Sequence, residues 1–469
     1  MERLRVLVVI ANYGTKNDQY LRRLLDEYHS MSYDVHLVVF TNVPKDLGED
    51  VEVVVENPKG DPWAFPFAVR RVFAERSSDY DLFIYTEDDT LIRQRNIDAF
   101  LQANAVLQEN EIAGFIRCEK GPGGETYIST AHAHFHWEPG SVVVRGPNLF
   151  AFFTNQHSGC FLLTQAQLRR AIGSGGFLVA PHQGRYHLPE TAATDPYTQC
   201  GFRKVICLSH IKDFILPHLA NKYVGKLGLR DVEFFRQVQA LEAIHNKTRP
   251  CTVLLNSEPK VWRANWSKSY YEPSSPEMLA MVPESTQTVL SYGCGWGAME
   301  SDLSNRGICV TTVALDSVIG ACAEAKGIEV IYGDSRTALA SLADKRFDCL
   351  LIANVLHLVS EPARLLESLA NLLSDGGVVI ATVPNLAQLP ILWERIKRSP
   401  GFRDLDTFER SGLHLTSYKT VKRWFRKANL TVQKIVPVIP RRAKGPNKLL
   451  GGLLSGVLAS DLTVLAEKM

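Results

Sequence analysis

The sequence predicts an α/β protein of two domains, each built on a mainly parallel, Rossmann-type sheet. Its 469 residues exceed what one hydrophobic core organises. Apolar β-branched runs alternate with helical periodicity from Leu4 to Thr86, and the same alternation restarts at Thr288. The second series closes on two strands with no helix between them, the signature of a mixed sheet with an antiparallel edge.

Taken in order, Leu4 to Ala11, Val35 to Thr41 and Val51 to Val55 read as strands, with a helix between the first two. A helical pattern from Ala64 to Glu75 leads into a strand at Asp81 to Thr86, whose C-terminal end carries Glu87, Asp88 and Asp89. From Cys118 to Asn221 the chain is richer in Gly, Pro, His and aromatics, as expected where loops carry binding groups. A helix at Asp231 to His245 closes the first domain, residues 1–245. Residues 246–283, with Pro250, Pro259, Pro273 and Pro276 and the aromatics Trp262, Trp266, Tyr270 and Tyr271, read as a connector docked on its neighbours. The second domain, residues 284–469, has predicted strands at Thr288 to Tyr292, Cys309 to Leu315, Glu329 to Tyr332, Cys349 to Ala353 and Val378 to Val383. After a helix around Thr420 to Ala428 come the closing strands, Thr431 to Val438 and Leu462 to Ala466.

Lysine and arginine exceed aspartate and glutamate by 52 minus 50, and no basic stripe interleaves with aromatics, so nucleic acid is not an expected partner. The nine cysteines are scattered and often lie in apolar runs, which suits a reducing, cytoplasmic setting. The N-terminal apolar stretch ends at Asn12 without a small-residue cleavage site, and no run approaches the roughly 20 apolar residues of a membrane span. The stretch from Arg441 through Leu454 is basic and apolar enough to touch a membrane surface, so the expected location is cytoplasmic, peripheral at the inner face; a substrate-cleft insertion is the blander reading.

The strand Val289 to Tyr292 opens into Gly293-Cys294-Gly295-Trp296-Gly297, where glycines let a ligand approach the backbone. Asp316, 23 residues after Gly293, ends the next strand, where a carboxylate can accept both hydroxyls of a ribose. The turn alone also fits a dinucleotide, through Gly293, Gly295 and Ala298, so a nicotinamide-dependent sugar dehydrogenase is a rival. With Gly333-Asp334 after the third strand, Asn354-Val355-Leu356-His357 after the fourth and Ser374 to Gly377 before the fifth, residues 265 to 469 resemble class I S-adenosylmethionine-dependent methyltransferases. The resemblance implies that Gly293, Cys294, Gly295, Trp296 and Gly297 hold the methionine part, Asp316 the ribose and Asp334 the adenine, with Asn354 also at the cofactor. One position departs: the family carries an acid two residues before the first glycine, and this chain has Ser291. For methylation of a hydroxyl the candidate general bases are His357 and His414, each equally readable as a packing or capping residue.

Glu87, Asp88 and Asp89 cluster carboxylates at a strand end, a pattern suited to a hard divalent cation such as Mn or Mg. With the βαββαβ opening it resembles the acidic site of GT-A glycosyltransferases over residues 1–245. The resemblance implies metal ligation by Glu87 and Asp89 with a later histidine, His218 or His210, of which His218 is preferred. It also implies nucleotide-sugar contacts at Asn12, Tyr13, Gly14 and Asp88. Glu190 and Asp195 are the acceptor-base candidates, with an N-cap or turn before Pro196 as the alternative. The alternating His132, His134 and His136 more often line a polar cleft than bind zinc. Gly121 to Gly124 is no phosphate cradle, since no Lys-Ser or Lys-Thr helix follows.

The expected function is therefore a bifunctional enzyme of glycan biosynthesis. One domain transfers a sugar from a nucleotide donor to a glycan or glycolipid acceptor, and the other methylates a sugar hydroxyl. The alternatives are a methyltransferase whose N-terminal domain only binds glycan, and an inactive scaffold, which Ser291 favours.

Overall fold

The computed structural model describes residues 3–56, 61–128, 135–224, 228–261, 266–399, 401–402, 405, 407–440 and 455–468. The chain divides into two compact units, the first running to Val238 and the second from Gln239.

In the first unit, strands β1 (Arg5–Asn12), β2 (Asp34–Thr41), β3 (Val51–Val55), β4 (Leu82–Glu87) and β10 (Cys160–Thr164) form one sheet in the order β10-β4-β1-β2-β3. All pairs are parallel except β10 with β4. Val6 to Ile10 are fully buried, as an unbroken apolar run must be when helices cover both faces of a parallel sheet. The helix Asp18–His29 buries Leu21, Leu24, Leu25 and Tyr28, one stripe at helical spacing. The chain adds β2 and β3 on one side of β1 and β4 on the other, so the order reverses between β1 and β4. A crevice opens at the strand ends at such a switch point, and Asn12 and Glu87 sit there.

The loop-rich middle of this unit folds into two four-stranded sheets. One joins β5 (Glu111–Ala113), β11 (Arg203–Cys207), β9 (Asn148–Ala151) and β8 (Val143–Arg145). The other joins β12 (Ile215–Pro217), β6 (Ile116–Lys120), β7 (Thr126–Ile128) and β13 (Leu229–Arg230). An isolated bridge from Thr90 to His218 ties the second of these segments to the end of β4.

The second unit is a seven-stranded sheet in the order β16-β15-β14-β17-β18-β20-β19, with β14 (Thr288–Cys294), β15 (Cys309–Ala314), β16 (Glu329–Ile331), β17 (Phe347–Ala353), β18 (Leu373–Pro384), β19 (Leu430–Val438) and β20 (Asp461–Lys468). The first five are parallel, and β20 runs antiparallel to both β18 and β19. The helices Pro362–Ala370 and Tyr418–Lys427 bury Leu365, Leu366, Leu369, Val421, Trp424 and Phe425 in its core. Here the order reverses between β14 and β17, which brings the glycine turn and Asn354 to one crevice.

The helix Asp231–His245 forms as expected, but the division between units falls inside it. The residues expected as a connector belong to the second unit. The strand end at Asp316 bridges to Val253, Leu254 N–H donates to Leu315 O at 2.8 Å, and Ser317 N–H donates to Thr252 O at 3.1 Å. None of the nine cysteines is disulfide-bonded. No helix among the described residues is long and apolar enough to cross a membrane. His132, His134 and the stretch 441–454 lie outside the described residues.

Candidate functional site

In the second unit a cavity of about 370 Å³ opens at the end of β14, lined by the turn Gly293 to Gly297 together with Lys268, Glu272, Ser291, Glu300, Asn354, Thr382, Asp461 and Thr463. Gly297 caps the helix Ala298–Ser304 at φ 82°, a left-handed conformation that an L side chain resists. Gly295 is required for another reason: a Cβ there would overlap the carbonyl oxygen of Tyr270, which accepts from Trp296 N–H at 2.9 Å. The Trp296 indole donates to Glu272 O at 2.7 Å, so residues 270–272 clasp the turn. Asn354, at φ 52°, donates from Nδ2 to Glu272 Oε1 at 3.0 Å and leaves Oδ1 buried with no partner among the described residues. A native structure seldom leaves such an atom unpaired, and this one stands beside a cavity.

The other predicted cofactor residues stand outside this cavity. Asp316 is 2% exposed. Its Oδ1 accepts from Val318 N–H and Ile319 N–H, both at 2.8 Å, and the Tyr270 hydroxyl bonds the carboxyl as well. Tyr270 packs with Leu315, Ile319 and Cys322, so the place above β15 is filled by the chain itself. Asp334 is a helix cap, accepting from Thr337 N–H at 2.8 Å, which holds its carboxyl below the usual range.

In the first unit a cavity of about 460 Å³ is lined by Ala11, Tyr13, Asn17, Pro62, Trp63, Phe65, Tyr85, Glu87, Asp88, Asp89, Pro189 and Lys222. Asn12 and Asn17 each donate to Asp88 at 2.7 Å, and burial pushes this carboxyl up to about 6 against those bonds. Tyr13 and Trp63 stand exposed on its wall. Gly14 faces Asn42, its N–H donating to Oδ1 at 2.7 Å.

The expected metal site is not assembled. His218 lies between two carboxylates, Nε2 at 3.2 Å from Asp89 and Nδ1 at 2.5 Å from Glu119. Burial lowers its pKa, but these partners outweigh burial and raise it, so both ring nitrogens are engaged by carboxylates. Burial raises Asp89, yet His218 and Lys222 together bring it down to about 2. Glu87 faces Arg117 at 3.7 Å and His157 at 3.9 Å. Among the described residues no group of three or more His, Cys, Asp or Glu side chains is placed to hold a metal. His210 is exposed and lines a different cavity.

The two acceptor-base candidates of this unit stand in different settings. Asp195 is fully buried and accepts from Arg70 at 2.7 Å inside the helix Leu188–Thr198, which accommodates Pro196 instead of ending before it. It is a core ion pair. Glu190 sits in the first turn of the same helix, with Oε2 buried and unpartnered, near enough to Glu87 to raise that carboxyl further after burial has done so.

Residues 267–435 match the family model described as a methyltransferase domain. The C-terminal unit thus contains the whole stretch that is similar to a methyltransferase domain. Uncharacterized methyltransferases of Mycobacterium tuberculosis (strain H37Rv) and Mycobacterium bovis are each 32% identical over 114 residues, which is 23% of this chain. The match spans only 57% of the length of these relatives. Solved structures similar to this chain include a SAM-dependent methyltransferase from Archaeoglobus fulgidus, 18% identical, covering 39% of this chain and 87% of that one with a TM-score of 0.31. Another is the N-methyltransferase NodS from Bradyrhizobium japonicum in complex with S-adenosyl-l-homocysteine, 16% identical, covering 41% and 84% with a TM-score of 0.29. The family model does not reach the N-terminal unit.

Neither histidine of the methyltransferase domain reaches its cavity. His357 is 1% exposed and donates from Nε2 to Trp266 O at 2.8 Å, and burial pushes its pKa down to about 4. His414 donates to Val359 O and Ser360 O, stacks on Phe408 and is also held down by burial. Both are packing residues. Sequence reasoning missed the ionisable groups that do line the cavity: Lys268, Glu272, Glu277, Glu300 and Asp461. Their signal is faint, because they come from three separate segments.

Burial pushes the Asp316 carboxyl up to about 6, so the folded domain holds this proton more tightly than the unfolded chain does. Its contribution to stability is complete below about pH 4 and is lost as the pH rises through 6, a change of as much as about 3 kcal/mol. Asp316→Asn is therefore expected to gain on the wild type as the pH rises from 4.5 to 8 in paired thermal melts. A difference between the two proteins that stays constant with pH would refute this.

Proposed function

We propose that the C-terminal unit transfers a methyl group from S-adenosylmethionine to a sugar hydroxyl of a glycan or glycolipid. The observation that carries the reading is the glycine turn opening on a cavity beside the orphaned Asn354 Oδ1. The fit is good at the methionine end, where Gly293 to Gly297, Glu300 and Asn354 offer close backbone approach and polar partners. At the nucleoside end Asp316 lies beneath Tyr270, so cofactor entry requires Tyr270 to withdraw from that carboxylate. When bound, the cofactor supplies an electrophilic methyl on a sulfonium. The chain itself then has to align the acceptor oxygen and take its proton. Asp461, on the β20 side of the same cavity, suits the role of proton acceptor, because burial raises its carboxyl and brings a carboxylate base nearer neutral pH.

The N-terminal unit is read as binding a nucleotide sugar and transferring its glycosyl group. Three observations support this: the sheet order with an antiparallel fifth strand, the acids at its switch point, and the exposed aromatics Tyr13 and Trp63 suited to stacking on a base. Glu87, Asp89 and His218 as placed do not make a cation site, and no step is routed through a metal.

Both readings are tested on the full chain by a thermal-shift panel of S-adenosylmethionine, NAD and nucleotide sugars with and without manganese, followed by radiolabelled methyl transfer to sugar acceptors. The expected result is stabilisation by S-adenosylmethionine and by one class of nucleotide sugar, the latter lost in Trp63→Ala. Stabilisation by NAD alone would overturn the methyltransferase reading. Silence from every nucleotide sugar would leave the N-terminal unit as a non-catalytic glycan-binding domain.

A further inference from the structure

The wall of the methyltransferase cavity holds a buried carboxylate without a counter-charge. Glu300, in the first turn of the helix Ala298–Ser304, is 5% exposed and lines the cavity beside the glycine turn and Asn354. The Ser291 hydroxyl donates to its Oε1 at 2.5 Å. Among the described residues no Lys, Arg or His forms an ion pair with it. Lys268, the lysine of the same cavity, is committed to Glu272 and to Ala353 O.

Taking a carboxylate out of water is costly unless a cation compensates. The hydroxyl donor orients Glu300 but brings no counter-charge. A cavity beside such a group is therefore set up to receive a cation from the ligand. S-adenosylmethionine carries two positive groups, and they differ: the sulfonium has no N–H to donate, whereas the α-ammonium has three. A carboxylate fixed by a hydroxyl matches the ammonium.

We propose that Glu300, seated by Ser291, receives the α-ammonium of the cofactor. The inference rests on the S-adenosylmethionine reading above. It also gives Ser291 a purpose. Where the resembling enzymes place an acid on the strand, this chain has a hydroxyl that positions a carboxylate contributed by the helix on the other side of the turn.

The test is calorimetry of the full-length protein with S-adenosylhomocysteine and with 5′-methylthioadenosine, which keeps the nucleoside and thioether but lacks the amino-acid group. Glu300→Gln is expected to weaken S-adenosylhomocysteine roughly 10- to 100-fold, the range of a lost charge-assisted hydrogen bond, and to leave methylthioadenosine within twofold of the wild type. Ser291→Asp combined with Glu300→Gln should recover most of the loss. Equal affinity of wild type and Glu300→Gln for S-adenosylhomocysteine overturns the assignment while leaving the cofactor reading intact. Absence of any binding to the wild type overturns the cofactor reading itself. Should Glu300→Gln fail to fold, the wild type is compared on S-adenosylhomocysteine and its deaminated analogue, and equal affinity for the two overturns the assignment.

Discussion

Alanine at position 295 is expected to abolish S-adenosylhomocysteine binding and to cost the protein about 2–4 kcal/mol of stability. The added methyl meets the Tyr270 carbonyl, and a backbone atom cannot swing away as a side-chain tip can. Relief therefore requires either the turn or residues 270–272 to shift, which breaks the Trp296 N–H bond to Tyr270 O. Forcing one methyl group into a filled site typically costs about 1–3 kcal/mol, and a lost hydrogen bond adds about 1 more. Gly307→Ala is the control. Gly307 has a left-handed φ of 84° but open space where a Cβ would stand, so its penalty is backbone strain of about 1 kcal/mol with no effect on binding. Calorimetric titration and thermal melts of both variants separate the two costs. Full-affinity binding by Gly295→Ala at an unchanged melting temperature would show that Tyr270 does not clasp the turn.

The second large effect lies in the first unit. Arg70 is 2% exposed and donates to Asp195 at 2.7 Å, to Ala192 O at 2.8 Å and to Phe177 O at 3.0 Å, while Asp195 also accepts from Thr198 Oγ1 at 3.1 Å. Asp195→Ala leaves the guanidinium buried without its counter-charge, a change that costs about 3–5 kcal/mol. The double variant Arg70→Met/Asp195→Leu removes both charges and is expected to recover most of that loss, because a buried pair is nearly offset by its own desolvation. Denaturant unfolding of the wild type and the two variants gives the comparison. A soluble Asp195→Ala protein with wild-type stability but no glycosyl transfer would restore Asp195 to the role of acceptor base.

The strand positions were legible because parallel strands buried on both faces must be apolar throughout, and Leu4 to Ala11 and Cys349 to Ala353 could be little else. The switch points followed, and with them the glycine turn, Asn354 and Asp88, each fixed by its place at a strand end. What was not legible depends on chain segments distant in sequence. Asp316 marks a strand end plainly, yet nothing local says that Tyr270 and Val253 return to cover it. Asp195 reads as an exposed turn acid until the partner, Arg70, is brought to it from 125 residues away. His218 does lie beside Asp89, but nothing local shows that Glu119 takes its other nitrogen and leaves the ring between two carboxylates. Ser291 looked like a defect because its compensation stands nine residues on, across the turn. The short strands of the middle region were missed because runs of three to five residues carry too few periods to declare themselves.

The clasp of residues 270–272 on the glycine turn also bears on how this protein can be divided. The Rossmann-type sheet begins at Thr288, and a fragment cut just before it would look complete by strand count. Such a fragment would lack Tyr270, Leu254 and Leu255, uncovering Leu315, Ile319 and Cys322 and leaving the turn without its two anchoring carbonyls. The working catalytic module is therefore longer than its sheet. Its N-terminal border for expression, grafting or fusion lies before Thr252, in a stretch whose composition advertises a spacer.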